Sequence, residues 1–103
     1  MIMGEVREYT FEELCPIVGA VAACHGMICV YLFGSRARGN NRPDSDYDFC
    51  ILTPDDHGLF EVGGFYADLR DALGAEIDVV CEESLTDDFS REVLRDRRLL
   101  YEA

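Results

Sequence analysis

Apolar residues recur at helical spacing through Leu14, Ile17, Val18, Val21 and Ala22, which predicts a helix over Phe11–His25. Thr10 and Glu13 form a capping box ahead of it, Tyr9 and Leu14 are placed as a hydrophobic staple, and Gly26 marks its end. Pro16 removes one backbone bond inside this segment, so a bend is expected there. The pattern then changes, because Ile28–Phe33 is a continuous apolar run of β-formers closed by Gly34-Ser35. Such a run predicts a strand buried on both faces. The polar stretch from Arg36 to Ser45 predicts a short turn of helix and then a loop. A second strand is predicted over Asp46–Leu52, followed by Thr53-Pro54 and a loop through Asp55, Asp56 and His57 to Gly58. Val62, Phe65, Tyr66, Leu69 and Leu73 mark one face of a helix over Phe60–Leu73, weakened by Gly63-Gly64 and stopped by Gly74. Glu76–Cys81 reads as a third strand, Asp87–Asp96 as an amphipathic helix with Phe89 and Val93 four apart, and Leu99-Leu100-Tyr101 as a small edge strand. The sum is an α/β (α+β) domain of two layers, a mixed sheet with helices on one face and acids on the other. With no repeat and no linker, it spans 1–103 as a single unit.

Composition narrows the function classes. The chain has 103 residues, 49% of them hydrophobic, enough for one modest core and too few for a second lobe. Acidic residues number 21 against 9 basic ones, all of them Arg, for a net charge of −12. That disfavours nonspecific binding to nucleic acid or to an anionic membrane, and it favours a basic partner protein. A phosphate ligand would need local cations or metal ions. Five cysteines (Cys15, Cys24, Cys29, Cys50 and Cys81), none in a C-x-x-C pair and each in an apolar segment, read as reduced core thiols. Cys24-His25 with Cys29 and His57 matches no zinc spacing. The N-terminal residues lack signal-peptide character and nothing approaches roughly 18 consecutive apolar residues, so a soluble cytoplasmic protein is expected.

Candidate chemistry concentrates in Gly34-Ser35-Arg36-Ala37-Arg38-Gly39 and, five residues later, Asp44-Ser45-Asp46-Tyr47-Asp48. A buried strand ending in Gly-Ser and turning into a helix start presents backbone N–H groups and a hydroxyl together, a ready anion site. Gly34 lets a ligand approach the backbone, and Arg36 and Arg38 add positive charge, Arg38 being the one expected to pair structurally with an aspartate. Asp46 and Asp48, two apart on a predicted strand, point to one face and repel unless a divalent cation lies between them. Their hard oxygen donors suit Mg²⁺ or Mn²⁺. Asp78 is a further acid inside an apolar strand, tolerable where it meets metal or solvent. Each feature alone has a bland reading, as a helix cap, a solvated turn or an ion pair. Three acids on two strands beside an anion-binding turn make the layout of two-metal phosphoryl or nucleotidyl transfer.

At these residues the sequence resembles the minimal nucleotidyltransferases (MNT) of the DNA polymerase β superfamily. Their G-S-x-A-R-G, S-D-x-D and distal Asp stand here as Gly34–Gly39, Ser45–Asp48 and Asp78, and the likeness covers nearly the whole chain. The resemblance implies a polymerase-β-like fold and a nucleotide site of Gly34, Ser35, Arg36 and Ser45. It implies two Mg²⁺ ions (Mn²⁺ as a substitute) on the catalytic carboxylates Asp46, Asp48 and Asp78, with Asp78 completing the ion that activates the attacking hydroxyl. Larger members carry an acceptor- or base-binding domain that 103 residues cannot hold, so the acceptor is expected from elsewhere. Small members are encoded with a HEPN-domain toxin, which the MNT antitoxin modifies on tyrosine with AMP. The resemblance therefore implies AMP transfer from ATP to a HEPN-family partner, within a hetero-oligomer. Two other readings compete: a non-catalytic antitoxin that neutralises its partner by complex formation, and a transferase acting on a small molecule such as an antibiotic. Three crowded acids favour the enzyme over the pure inhibitor.

Overall fold

The structure is a computed structural model that describes residues 8–54, 58–82 and 87–103. Helix α1 (Phe11–Cys24) leads into strand β1 (Cys29–Phe33), the short helix α2 (Ser35–Arg38) and strand β2 (Tyr47–Leu52). Helix α3 (Leu59–Leu73), strand β3 (Ile77–Cys81), helix α4 (Asp87–Asp96) and strand β4 (Arg98–Glu102) complete the chain. The expected loop at Asp55, Asp56 and His57, the first seven residues and the Phe89 side chain lie outside the described residues.

The four strands form one mixed sheet in the order β3-β2-β1-β4, with β1 antiparallel to both β2 and β4 and β2 parallel to β3. The two most continuous apolar runs, β1 and β2, take the central places, where both faces of a strand are covered. On one face α1 supplies Leu14, Val18 and Ala22, and α3 supplies Phe65, Leu69 and Leu73, against Val30, Leu32, Tyr47, Phe49 and Ile51 of the central strands. Thr10 starts α1 as the capping box requires: its hydroxyl accepts from the Glu13 N–H (3.1 Å), and the Glu13 carboxylate accepts from the Thr10 N–H (2.8 Å). Pro16 stands in α1 without ending it.

The opposite face is less bare than the sequence suggests. Val93 of α4 is buried there against Phe33 and Cys50, beside Tyr31 and Val80, so α4 covers part of the sheet that α1 and α3 leave open. The cysteines divide as well. Cys29 and Cys50 are buried and Cys15 and Cys81 half-buried, but Cys24 is exposed at the end of α1, so the core-thiol expectation fails for Cys24. Among the described residues no helix is long and apolar enough to cross a membrane.

Candidate active site

The sheet register assembles the candidate residues. Asp48 is the Cα partner of Phe33 in the antiparallel pair β1–β2 and of Asp78 in the parallel pair β2–β3. One carboxylate thus sits between the end of β1, where the Gly34-Ser35 turn begins, and the second acid on β3. Gly34 is at φ 75°, a conformation that excludes most side chains, and a Cβ there would lie 2.4 Å from Asp48 Oδ2. The close approach that Gly34 permits is therefore first of all to Asp48. Asp46 lies one residue before β2 and not within it, so strand alternation alone does not orient its side chain.

The field around Asp48 is adverse to its charge. Its carboxyl is pushed up to about 6, first by burial and then by Asp78 and Asp46, against the opposing pull of Arg38 and Arg36. Like charges directly across a strand pair destabilise it, and here the more buried partner carries the consequence. Asp46 and Asp78 are both exposed.

The two arginines of the turn take different surroundings, and Arg38 does pair with an aspartate, Asp96 of α4. The Arg36 side chain, only 6% exposed, is taken up by loop carbonyls: Nε and Nη2 donate to the Ser45 carbonyl at 3.0 and 2.8 Å, and Nη2 also donates to the Pro43 carbonyl at 3.2 Å. Its plane lies 3.9 Å from the Tyr47 ring centroid. Ser45 closes the same loop, its hydroxyl accepting from the Arg42 N–H at 2.9 Å. Arg38 instead faces an open cleft of about 310 Å³ that it lines with Gly34, Ser35 and Asp48. The far wall, which sequence reasoning missed, is α4 through Glu92 and Asp96. Asp96 accepts from Arg38 at 3.2 Å and from Arg95 at 3.3 Å, and these bonds hold its carboxyl below the usual range although desolvation pushes it upward. The available signal was the helical spacing of Glu92 and Asp96 on one face. Ser45, Arg36, Asp46 and Asp78 do not line this cleft.

The donors suit a divalent cation. They are carboxylate oxygens, and while burial is the first cause of the raised Asp48, a cation would relieve the second, the repulsion from Asp78 and Asp46. Among the described residues no three His, Cys, Asp or Glu side chains are already grouped so as to hold a metal ion. The arrangement is therefore a pair of acids on neighbouring strands with a third at the strand entrance, beside a turn whose first N–H groups precede any carbonyl acceptor of their own helix.

Comparison with known proteins bears on the family and the fold. The sequence pattern of the "Polymerase beta, Nucleotidyltransferase" family matches residues 21–103. A solved protein assigned as a minimal nucleotidyltransferase is 32% identical, with a TM-score of 0.75 over 88% of this chain and 96% of that one. Two more distant structures share the fold. One is a chain of the complex between the tri-AMPylated HEPN toxin of Shewanella oneidensis and an MNT antitoxin (18% identity, TM-score 0.69, 90% of this chain and 73% of that one). The other is a chain of a toxin–antitoxin complex solved with AMP-PNP (22% identity, TM-score 0.69, 82% and 69%). No curated protein sequence matches the chain.

Proposed function

Because the chain belongs to the polymerase β nucleotidyltransferase family, we propose that it transfers AMP from ATP to a hydroxyl of a partner protein, a HEPN-family toxin that it serves as antitoxin. The observation that carries this reading is the packing of the Gly34-Ser35 turn against the half-buried Asp48, with Asp78 opposite it on β3. The partner class is supported by the fold shared with chains of HEPN toxin–MNT antitoxin and AMP-PNP-bound toxin–antitoxin complexes.

In this reading Ser35 and the N–H groups at the start of α2 hold the polyphosphate, and Arg38 faces it across the cleft. Asp46, Asp48 and Asp78 would hold two Mg²⁺ ions, which when bound supply activation of the acceptor hydroxyl and stabilisation of the leaving pyrophosphate. The new P–O bond to the acceptor hydroxyl forms as the bond from the α-phosphorus to pyrophosphate breaks, with the attacking and leaving oxygens in line. The net charge of −12 suits a basic partner surface whether or not the reaction occurs.

The experiment is intact-mass measurement of a HEPN partner after incubation with this protein, Mg²⁺ and each nucleoside triphosphate. The wild type should add the mass of AMP from ATP. Asp78→Asn should keep nucleotide and partner binding yet lower the transfer rate by roughly a thousandfold or more, the expected loss for an activating ligand. If neither protein adds mass and both neutralise the toxin equally, the chain is a binding antitoxin and the transferase reading is wrong.

A further inference from the structure

We infer that Arg36 positions Asp46 for the reaction and does not bind the nucleotide; the inference rests on the proposed function, because it concerns the same carboxylates. Asp46 lies in the chain between Ser45 and Tyr47, and Arg36 engages both neighbours. Two of its N–H groups donate to the Ser45 carbonyl at 3.0 and 2.8 Å, which fixes the peptide plane leading into Asp46. Its guanidinium lies 3.9 Å from the centroid of the Tyr47 ring, which fixes the residue that follows. Tyr47 is itself immobilised, since its hydroxyl accepts from the Tyr9 N–H at 2.9 Å and its N–H donates to the Glu76 carbonyl at 3.1 Å.

Asp46 needs such a device because it stands outside the β2 ladder and is exposed, so neither strand pairing nor packing sets its direction. The backbone of Arg36 is the second residue of α2, directly after Ser35. One side chain therefore ties the anion-binding turn to the carboxylate segment and sets the distance between them. A guanidinium can do this while nearly buried, since carbonyl oxygens, an aromatic face and Glu8 at 3.4 Å replace its water. An ammonium cannot, because it offers no plane to stack and no fork to hold two carbonyls.

The test is Mn²⁺ binding to the full chain, followed by electron paramagnetic resonance of the free ion, for wild type, Arg36→Lys, Arg36→Gln and the remote core control Val18→Ala. Both Arg36 variants should bind Mn²⁺ about 10–100-fold more weakly, with no rescue by Lys, as when outer supports of metal ligands are removed. Val18→Ala should stay within about twofold of wild type, as a distant site does. A folded Arg36→Lys that binds like wild type overturns the inference, as does a Val18→Ala loss equal to that of the Arg36 variants. Failure of the wild type to take up Mn²⁺ is a different outcome: it overturns the metal reading of Asp46, Asp48 and Asp78, and the inference falls with it. If neither Arg36 variant folds, nuclear magnetic resonance of the wild type decides. The Arg36 Nε–H must then resist exchange and the Asp46 backbone must be as rigid as β2; nanosecond motion at Asp46 overturns the inference.

Discussion

Asp48 is the residue at which stability and proposed chemistry oppose each other. Burial and two acidic neighbours lift its carboxyl from 3.8 to about 6, so between those values the folded chain binds more protons than the unfolded chain. Stability therefore falls as pH rises through this window, the reverse of the usual salt-bridged aspartate. Allowing for solvent at a half-exposed group, the penalty at pH 7 is about 1–2 kcal/mol. Asp48→Asn should melt several degrees above wild type at pH 7, with the gap closing toward about pH 4, read by circular dichroism melts across that range. A variant that is less stable at pH 7 would assign Asp48 a structural role.

Between elements, α1 and α3 are joined by a polar clasp at their solvent edge. The His25 ring meets Asp68 at 2.7 Å and Glu61 at 3.3 Å, and it stands edge-on to Phe65 at 6.3 Å. The Asp68 hydrogen bond, outweighing desolvation and aided by Glu61, raises the imidazole above 6.5. Its contribution is complete below 6.5 and is lost as pH rises through the raised value, the same direction as Asp48, so only variants separate the two. Gly64 keeps the clasp closed, since a Cβ there would lie 2.9 Å from His25 Cε1, whereas a Cβ at Gly63 meets nothing within 4 Å. Gly63→Ala should therefore stabilise by about 0.5–1 kcal/mol through helix propensity alone. Gly64→Ala should gain less or lose, and should weaken the pH dependence assigned to His25. Urea unfolding of both at pH 6 and pH 8 makes the comparison.

At the scale of the whole molecule, charge and the α4 wall dominate. A net charge of −12 on 103 residues means self-repulsion in the folded state. α4 is held by its buried Val93 and by two consecutive residues with opposite partners: Asp96 with Arg38, and Arg97 with Glu82 at 2.7 Å, the latter guanidinium lying 3.9 Å from the Tyr31 ring centroid. Sodium chloride screens the general repulsion over a Debye length and weakens these few pairs less, since Arg97 and Asp96 are partly shielded. The melting temperature should therefore rise from low salt to about 0.3 M. A fall over that range would mean that the ion pairs of α4 outweigh the surplus acid.

Much of this protein could be read along the chain. Strand and helix positions followed from residues whose local choices agree: the Thr10–Glu13 cap, the uninterrupted run into Phe33, and the glycines at 34 and 74 that end their elements. The motif residues Gly34, Asp48 and Asp78 do come to neighbouring positions, since Asp48 pairs with Phe33, next to Gly34, on one side and with Asp78 on the other. What only the tertiary structure decided concerns direction. Arg36 and Arg38 are two apart in one turn with the same charge, yet one is buried against Tyr47 and the Ser45 carbonyl while the other faces the cleft. The sign of a charge is local, but its direction depends on which ring and which carbonyls the fold brings within reach. The same holds for α4, whose amphipathic period declares a buried face without saying which side of the sheet receives it. In the fold Val93 packs on Phe33 and Cys50, on the face that α1 and α3 leave open, and Glu92 and Asp96 become a wall of the site.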